Sequence, residues 1–226
     1  KGVFGPVTSE LDLLKMPLKG SLNIIDLNIN TLKKFVPIIK KHIPPGLDIS
    51  GPLNAKLEFS GALDSLTLSD IKMNAAVFGA TVPNFELSGT IGPIAENKEN
   101  FSLDTEFKLD SANLSKLRNF SLIKDSLTNS LSTQGTLDIS GKVSGTPKDL
   151  KFDAVKLDAT DSRLAVIGKF LKPKNVPFVI TAGGEMSDSV IELKNSEIKL
   201  NTLTINSSGK IIIGTTNLIN LSVRSN

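Results

Sequence analysis

The chain has no cysteine, no tryptophan, no tyrosine and a single histidine. Without cysteine there is no disulfide and no thiolate metal site, which fits the cytoplasm or a bacterial envelope compartment better than a small secreted eukaryotic domain. Rings are scarce too: 11 Phe supply all the aromatic residues, so platforms for stacking nucleobases are few. Arginine is confined to Arg118, Arg163 and Arg224, and the 26 cations are interspersed with 23 acids for a net charge of +3. Such mixing is a solvated surface, not a phosphate-binding stripe, and no nucleic acid partner is expected. Long apolar runs are also missing; those present are only a few residues, such as Ile211 to Ile213, so no transmembrane helix is expected. Lys1 opens directly into globular-looking sequence with no signal peptide, and the expectation is a piece of a longer protein whose anchor or signal lies outside it.

Catalytic groups are equally sparse. A catalytic site needs a nucleophile with a base, paired carboxylates or metal ligands within reach. His42 precedes two prolines at the end of a helical pattern, where the helix dipole favours a histidine, and no Ser stands in a nucleophile elbow. The run Gly141 to Thr146 lacks the Gly-Lys-Ser/Thr ending of a phosphate loop, and its glycines read as turn residues. Gly183-Gly184 reads as a bulge or turn, since no helix follows it. Asp104, Asp110, Asp149, Asp153 and Asp158 show no calcium-loop spacing. Asn-x-Ser triplets such as those at Asn113 and Asn206 are accidents of an Asn- and Ser-rich composition. The expectation is a chain that is not an enzyme and takes no cofactor or metal.

What the chain does have is alternation. Leu53, Ala55, Leu57 and Phe59 alternate with Asn54, Lys56, Glu58 and Ser60, the period of a half-buried strand. Leu66 and Leu68 begin the next run, and after a one-residue slip of phase Ile71, Met73, Ala75 and Val77 continue it. A shift of 84 positions lays Gly51 on Gly135, Leu53 on Leu137, Ser60-Gly61 on Ser144-Gly145, Leu66 on Leu150, Leu68 on Phe152, Ile71 on Val155 and Met73 on Leu157. Repeat units over about 47–78 and 131–162 are expected within one β-rich domain spanning 1–226.

Further strands are expected at Leu22 to Leu27, Phe85 to Ile91, Phe101 to Leu109, Leu164 to Ile167, Phe178 to Ala182, Ser189 to Leu193, Glu197 to Leu200, Leu203 to Ser207, Lys210 to Ile213 and Asn217 to Val223. Turn signals recur between them, giving about 14–16 strands, the all-β signature. Two short helices are expected. Thr31 to His42 places Leu32, Phe35, Val36 and Ile39 on one face and lysines on the other, broken by Pro37. It reads as a plug at the end of a sheet, with a basic helix touching an anionic membrane as the alternative. Asn113 to Leu131 carries a looser leucine face weakened by Ser and Asn.

Two short helices cannot cover the aliphatic face of so many strands, and monomeric proteins seldom expose apolar patches above a few hundred Å². The solutions are a sandwich, a barrel, or an open groove covered by lipid or a partner. Leu53, Leu57, Phe59, Leu66, Leu68, Leu137, Ile139, Val143, Leu150 and Phe152 belong to that face, either as core or as a lipid-binding lining. On the alternation alone a closed core is the plainer solution.

The segment Leu27, Leu32, Phe35, Pro37, followed by the G-x-L-x-A-x-L-x-x-S-G run Gly51 to Gly61 and by Leu66 to Met73, resembles the AsmA family of bacterial envelope proteins. The later copy GTLDISGKVSGTPKDLKFDAVKL has the same form, and Leu203 to Ile213 resembles that family's Gly-punctuated closing strands. The likeness covers about Leu18 to Asn226 and rests on patterns of strands and turns. It implies a mainly β fold, an extended and curled antiparallel sheet forming a groove or half-pipe. It also implies a periplasmic, non-catalytic protein anchored in the inner membrane by a helix outside this sequence. Phospholipid acyl chains would be its cargo between inner and outer membrane, and flanking regions would supply membrane contact. The other expectation is a structural or adhesive all-β spacer with a closed sandwich core and no lipid.

Overall fold

The computed structural model describes residues 15–29, 31, 49–62, 65–95, 101–117, 131–166, 168–212 and 218–226. Thirteen strands form one antiparallel sheet: β1 (Pro17–Asn28), β2 (Ile49–Ala62), β3 (Ser65–Val77), β4 (Phe85–Ala95), β5 (Ser102–Asn113), β6 (Leu131–Gly145), β7 (Asp149–Asp158), β8 (Ser162–Val166), β9 (Phe170–Lys172), β10 (Phe178–Ser187), β11 (Val190–Leu200), β12 (Leu203–Ile212) and β13 (Leu218–Ser225). The order is a meander, β1 to β7 followed by β10 to β13, and the sheet does not close on itself. The fold is therefore mainly β, as the alternation requires, and takes the open, extended antiparallel form.

One helix is described, α1 (Leu114–Leu117), a single turn. Of the helix expected over Asn113 to Leu131, that turn is the described part, and its start is corrected: Asn113 ends β5, and its Oδ1 accepts the N–H groups of Ser115 at 2.9 Å and Lys116 at 3.3 Å. Leu131 already belongs to β6. The rest of that helix lies outside the described residues, as do Leu32, Phe35, Val36, Ile39 and His42 of the helix expected to begin at Thr31. Among the described residues no helix is long and apolar enough to cross a membrane.

The expected strands merge into fewer, longer ones. Ser189 to Leu193 and Glu197 to Leu200 are one strand, β11, with a bulge between Leu193 and Ser196. Leu203 to Ser207 and Lys210 to Ile212 are likewise continuous through Gly209, which has φ +142° and stays in register with β13 without a turn. The slip of phase after Leu68 is a β-bulge at Asp70, which has φ +49°. The extra residue restores Ile71 to the face that Leu68 occupies.

The β6–β7 hairpin repeats the register of β2–β3. Phe59 faces Leu68 and Val143 faces Phe152; Lys56 faces Lys72 and Ser140 faces Lys156; Asn54 faces Asn74 and Asp138 faces Asp158. Each pair is the other moved by 84 positions.

β6 is a branch point. Its first residues, Leu131–Gly135, pair with β8, while Asp138–Gly145 pair with β7. The β8–β9 hairpin thus leaves the main path of the sheet. At its root, Lys172 is 1% exposed, and its ammonium donates to the carbonyl oxygens of Ala159, Thr160 (2.7 Å) and Ser162 (2.6 Å). Burial pushes this ammonium below its ordinary value, against the pull of Asp161 and Asp158.

The core is small and sits at one end of the strands. Ala75, Val77 and Phe78, Leu109 and Ala112, Leu114 and Leu117 of α1, Leu137 and Ala159 form its buried cluster. Leu164 of β8 and Phe178 of β10 pack against it. The chain exposes 14643 Å², whereas a compact monomer of 24.1 kDa exposes ~10,000 Å². The described strands form no second sheet, which a sandwich would require.

Candidate functional site: an aliphatic sheet face

Directly opposed residues in an antiparallel ladder point to the same side, so the registers trace rows across the sheet. One row runs Phe59, Leu68, Ile91, Leu103, Gly145, Leu150, Met186, Ile191, Ile211, Ile219. Another runs Leu27, Leu53, Ala75, Phe85, Leu109, Ile139, Leu157, Ile180, Ile198, Ile205. Neither contains a charged side chain. Between them lies a row that mixes three glycines with larger side chains: Gly89, Thr105, Val143, Phe152, Gly184, Leu193, Gly209, Leu221. A Cβ at Gly184 would lie 2.2 Å from the Glu192 carbonyl oxygen, so a side chain there would run into the neighbouring strand's backbone.

All ten residues expected on the apolar face lie on it, in β2, β3, β6 and β7. Leu137 is buried in the end cluster, and Leu53 and Ile139 pack against that cluster. Those three serve the core. Leu57, Phe59, Leu66, Leu68, Val143, Leu150 and Phe152 are half-buried and lie farther along the strands. The face also includes residues not singled out from the sequence, among them Leu87, Leu103, Phe107, Met186, Ile191 and Leu193. Their signal was the same period-two alternation, now extended over eleven strands by the pairing.

The opposite face carries the charge. Lys72 with Asp70, Lys142 with Asp104 (3.1 Å), Lys156 with Asp158 (3.2 Å) and Lys210 with Glu192 (3.3 Å) are ion pairs on it. The hydrogen bond from Lys194 (2.5 Å) holds the Glu185 carboxyl below its usual range and holds the lysine above its own. The Asp110 hydrogen bond and charge likewise raise Lys108. At Asp158 burial pushes the carboxyl up, but hydrogen bonds from Thr160 and Lys156 outweigh it and the net direction is down. Recesses on this side, one of about 420 Å³ between Lys72, Asn74, Glu86, Ser88, Glu106 and Lys108, are gaps between long side chains on a pleated surface.

Among the described residues no group of three or more His, Cys, Asp or Glu is placed to hold a metal. Each described buried side-chain polar atom has a hydrogen-bond partner. The chemistry this arrangement offers is therefore apolar contact. Eleven strands on the main path span ~48 Å across the sheet at ~4.8 Å per strand. A band of the face ~20 Å tall then covers ~1,000 Å², more than the largest patch of a typical monomer. Covering half of it is worth on the order of 10 kcal/mol, comparable to the whole stability of a domain.

Comparison of the chain with protein-family models, with curated proteins and with solved structures finds no match.

Proposed function

We propose that this chain is a non-catalytic lipid-binding segment whose aliphatic sheet face holds phospholipid acyl chains. The observation that carries the proposal is a continuous, uncharged face crossing eleven strands with no second sheet over it among the described residues. Acyl chains suit such a face because they bury its area without needing hydrogen bonds, and aliphatic side chains offer no directional partner that would hold them in one place. The likeness of Gly51 to Gly61 and its later copy to the AsmA family supplies the setting: a periplasmic segment assisting phospholipid movement between inner and outer membrane, and so outer-membrane biogenesis, with membrane contact supplied by flanking regions.

The test is extraction of the purified chain followed by lipid mass spectrometry, with a fluorescent phospholipid titrated into a delipidated sample. Co-purified phospholipid and saturable binding are expected. A lipid-free protein that also leaves the fluorescent phospholipid in solution defeats the reading.

A further inference from the structure

The geometry points to a second contact surface: the β8–β9 hairpin docks on an anionic phospholipid bilayer. Residues 161–174 hold four of the chain's 26 cations, Arg163, Lys169, Lys172 and Lys174, and one of its 23 acids, Asp161. The remaining residues hold 22 of each, so this hairpin carries the entire net charge of the chain. Lys172 spends its charge on three carbonyl groups at the root. Arg163, Lys169 and Lys174 are exposed and make no ion pair among the described residues, whereas eight lysines on the strands, Lys72 to Lys210, are each within 4.0 Å of a carboxylate.

The same hairpin exposes two large apolar side chains, Phe170 at 38% and Leu171 at 58%. Phe170 pairs with Val166 and Leu171 with Ala165, so the two side chains leave opposite faces of the hairpin; entering the bilayer end on, both reach the acyl boundary while the flanking cations meet lipid phosphates. A polyanion such as duplex DNA would use the charges and leave Phe170 and Leu171 in water. The root of the hairpin is also anchored. Leu164 packs on the core, β8 is paired to Leu131–Gly135, and the Lys172 cage fixes the root, so little order is lost on docking.

The experiment is co-sedimentation of the full chain with vesicles of phosphatidylcholine, with and without phosphatidylglycerol. Binding to the anionic vesicles only, weakening with salt, is expected. Lys169→Gln with Lys174→Gln lowers affinity about 30-fold if each lysine near the surface contributes a factor of about five. Phe170→Ser with Leu171→Ser lowers it at least about tenfold. Thermal unfolding of each variant, expected to match the parent, checks folding. The inference is overturned if the parent ignores anionic vesicles, or if Phe170→Ser with Leu171→Ser binds them as the parent does. Equal affinity for duplex DNA, insensitive to those two residues, overturns it as well. The substituted residues lie off the apolar rows of the main sheet, so a variant that loses vesicles while still carrying lipid separates this surface from the acyl-chain reading.

Discussion

Gly61 and Gly145 stand 84 positions apart and hold the same backbone angle, φ +117°. Both stand at or next to the end of a strand, at the same step of a hairpin. A Cβ at Gly61 would lie 2.5 Å from the Ser65 carbonyl oxygen, and one at Gly145 would lie 2.1 Å from that of Asp149. The bulges match as well: Asp70 and Ala154, also 84 apart, have φ +49° and +48°. Neither glycine can accept a side chain without moving backbone. Gly61→Ala and Gly145→Ala are each expected to cost about 1–3 kcal/mol. The urea midpoint of each variant checks this, and a midpoint equal to the parent's at either position would refute the steric argument.

Much of this fold was legible because alternation is a local signal. Leu53 to Phe59 and Phe101 to Leu109 declare their faces without help from the rest of the chain. The one-residue slip between Leu68 and Ile71 was visible too, and the bulge at Asp70 explains it. Three features were not legible. Gly209 and the bulge after Leu193 look like strand ends in sequence, yet the ladder continues through both because the neighbouring strand supplies the partners. β9 has three residues, too few to alternate. Lys172 reads as a turn lysine at the start of a proline-marked turn; its burial is decided by carbonyl groups of Ala159 to Ser162 that only the tertiary fold brings together.

Lys172 provides the next prediction. Lys172→Met keeps the apolar stem but leaves the carbonyl groups of Ala159, Thr160 and Ser162 without the ammonium. A loss of about 2–4 kcal/mol is expected, as for removing one partner of a buried charged group. The pH dependence has a definite sign. The folded-state value lies below 10.5, so between that value and 10.5 the unfolded chain binds more protons than the folded one. The contribution of Lys172 to stability therefore rises with pH across that window. Subtracting the stability profile of Lys172→Met from that of the parent isolates it; a flat difference below 10.5 would show that burial does not shift this group.

The two outer strands of the sheet differ in how they are protected. β1 carries Pro17, Lys19 and a bulge at Asp26, devices that discourage pairing with another chain. β13 carries only Arg224 and exposes Leu218, Ile219 and Val223. Among the described residues it pairs with β12 alone. Concentration-dependent association through this edge is expected in sedimentation velocity, and Ile219→Lys with Val223→Lys should abolish it. A parent chain that stays monomeric at every concentration contradicts the expectation.

The central claim is that acyl chains lie on one face of the sheet and not on the other, and the absence of cysteine makes a direct measurement practical. Single cysteines at Val143 and Leu193, on the aliphatic rows, and at Lys142 and Glu192, on the charged side, can each carry a small fluorophore. Phospholipid with a nitroxide on its acyl chain is then added to each labelled chain. Strong quenching at positions 143 and 193, with little at 142 and 192, is the predicted result. Equal quenching on both faces, or none at 143 and 193 with lipid bound, would contradict the account.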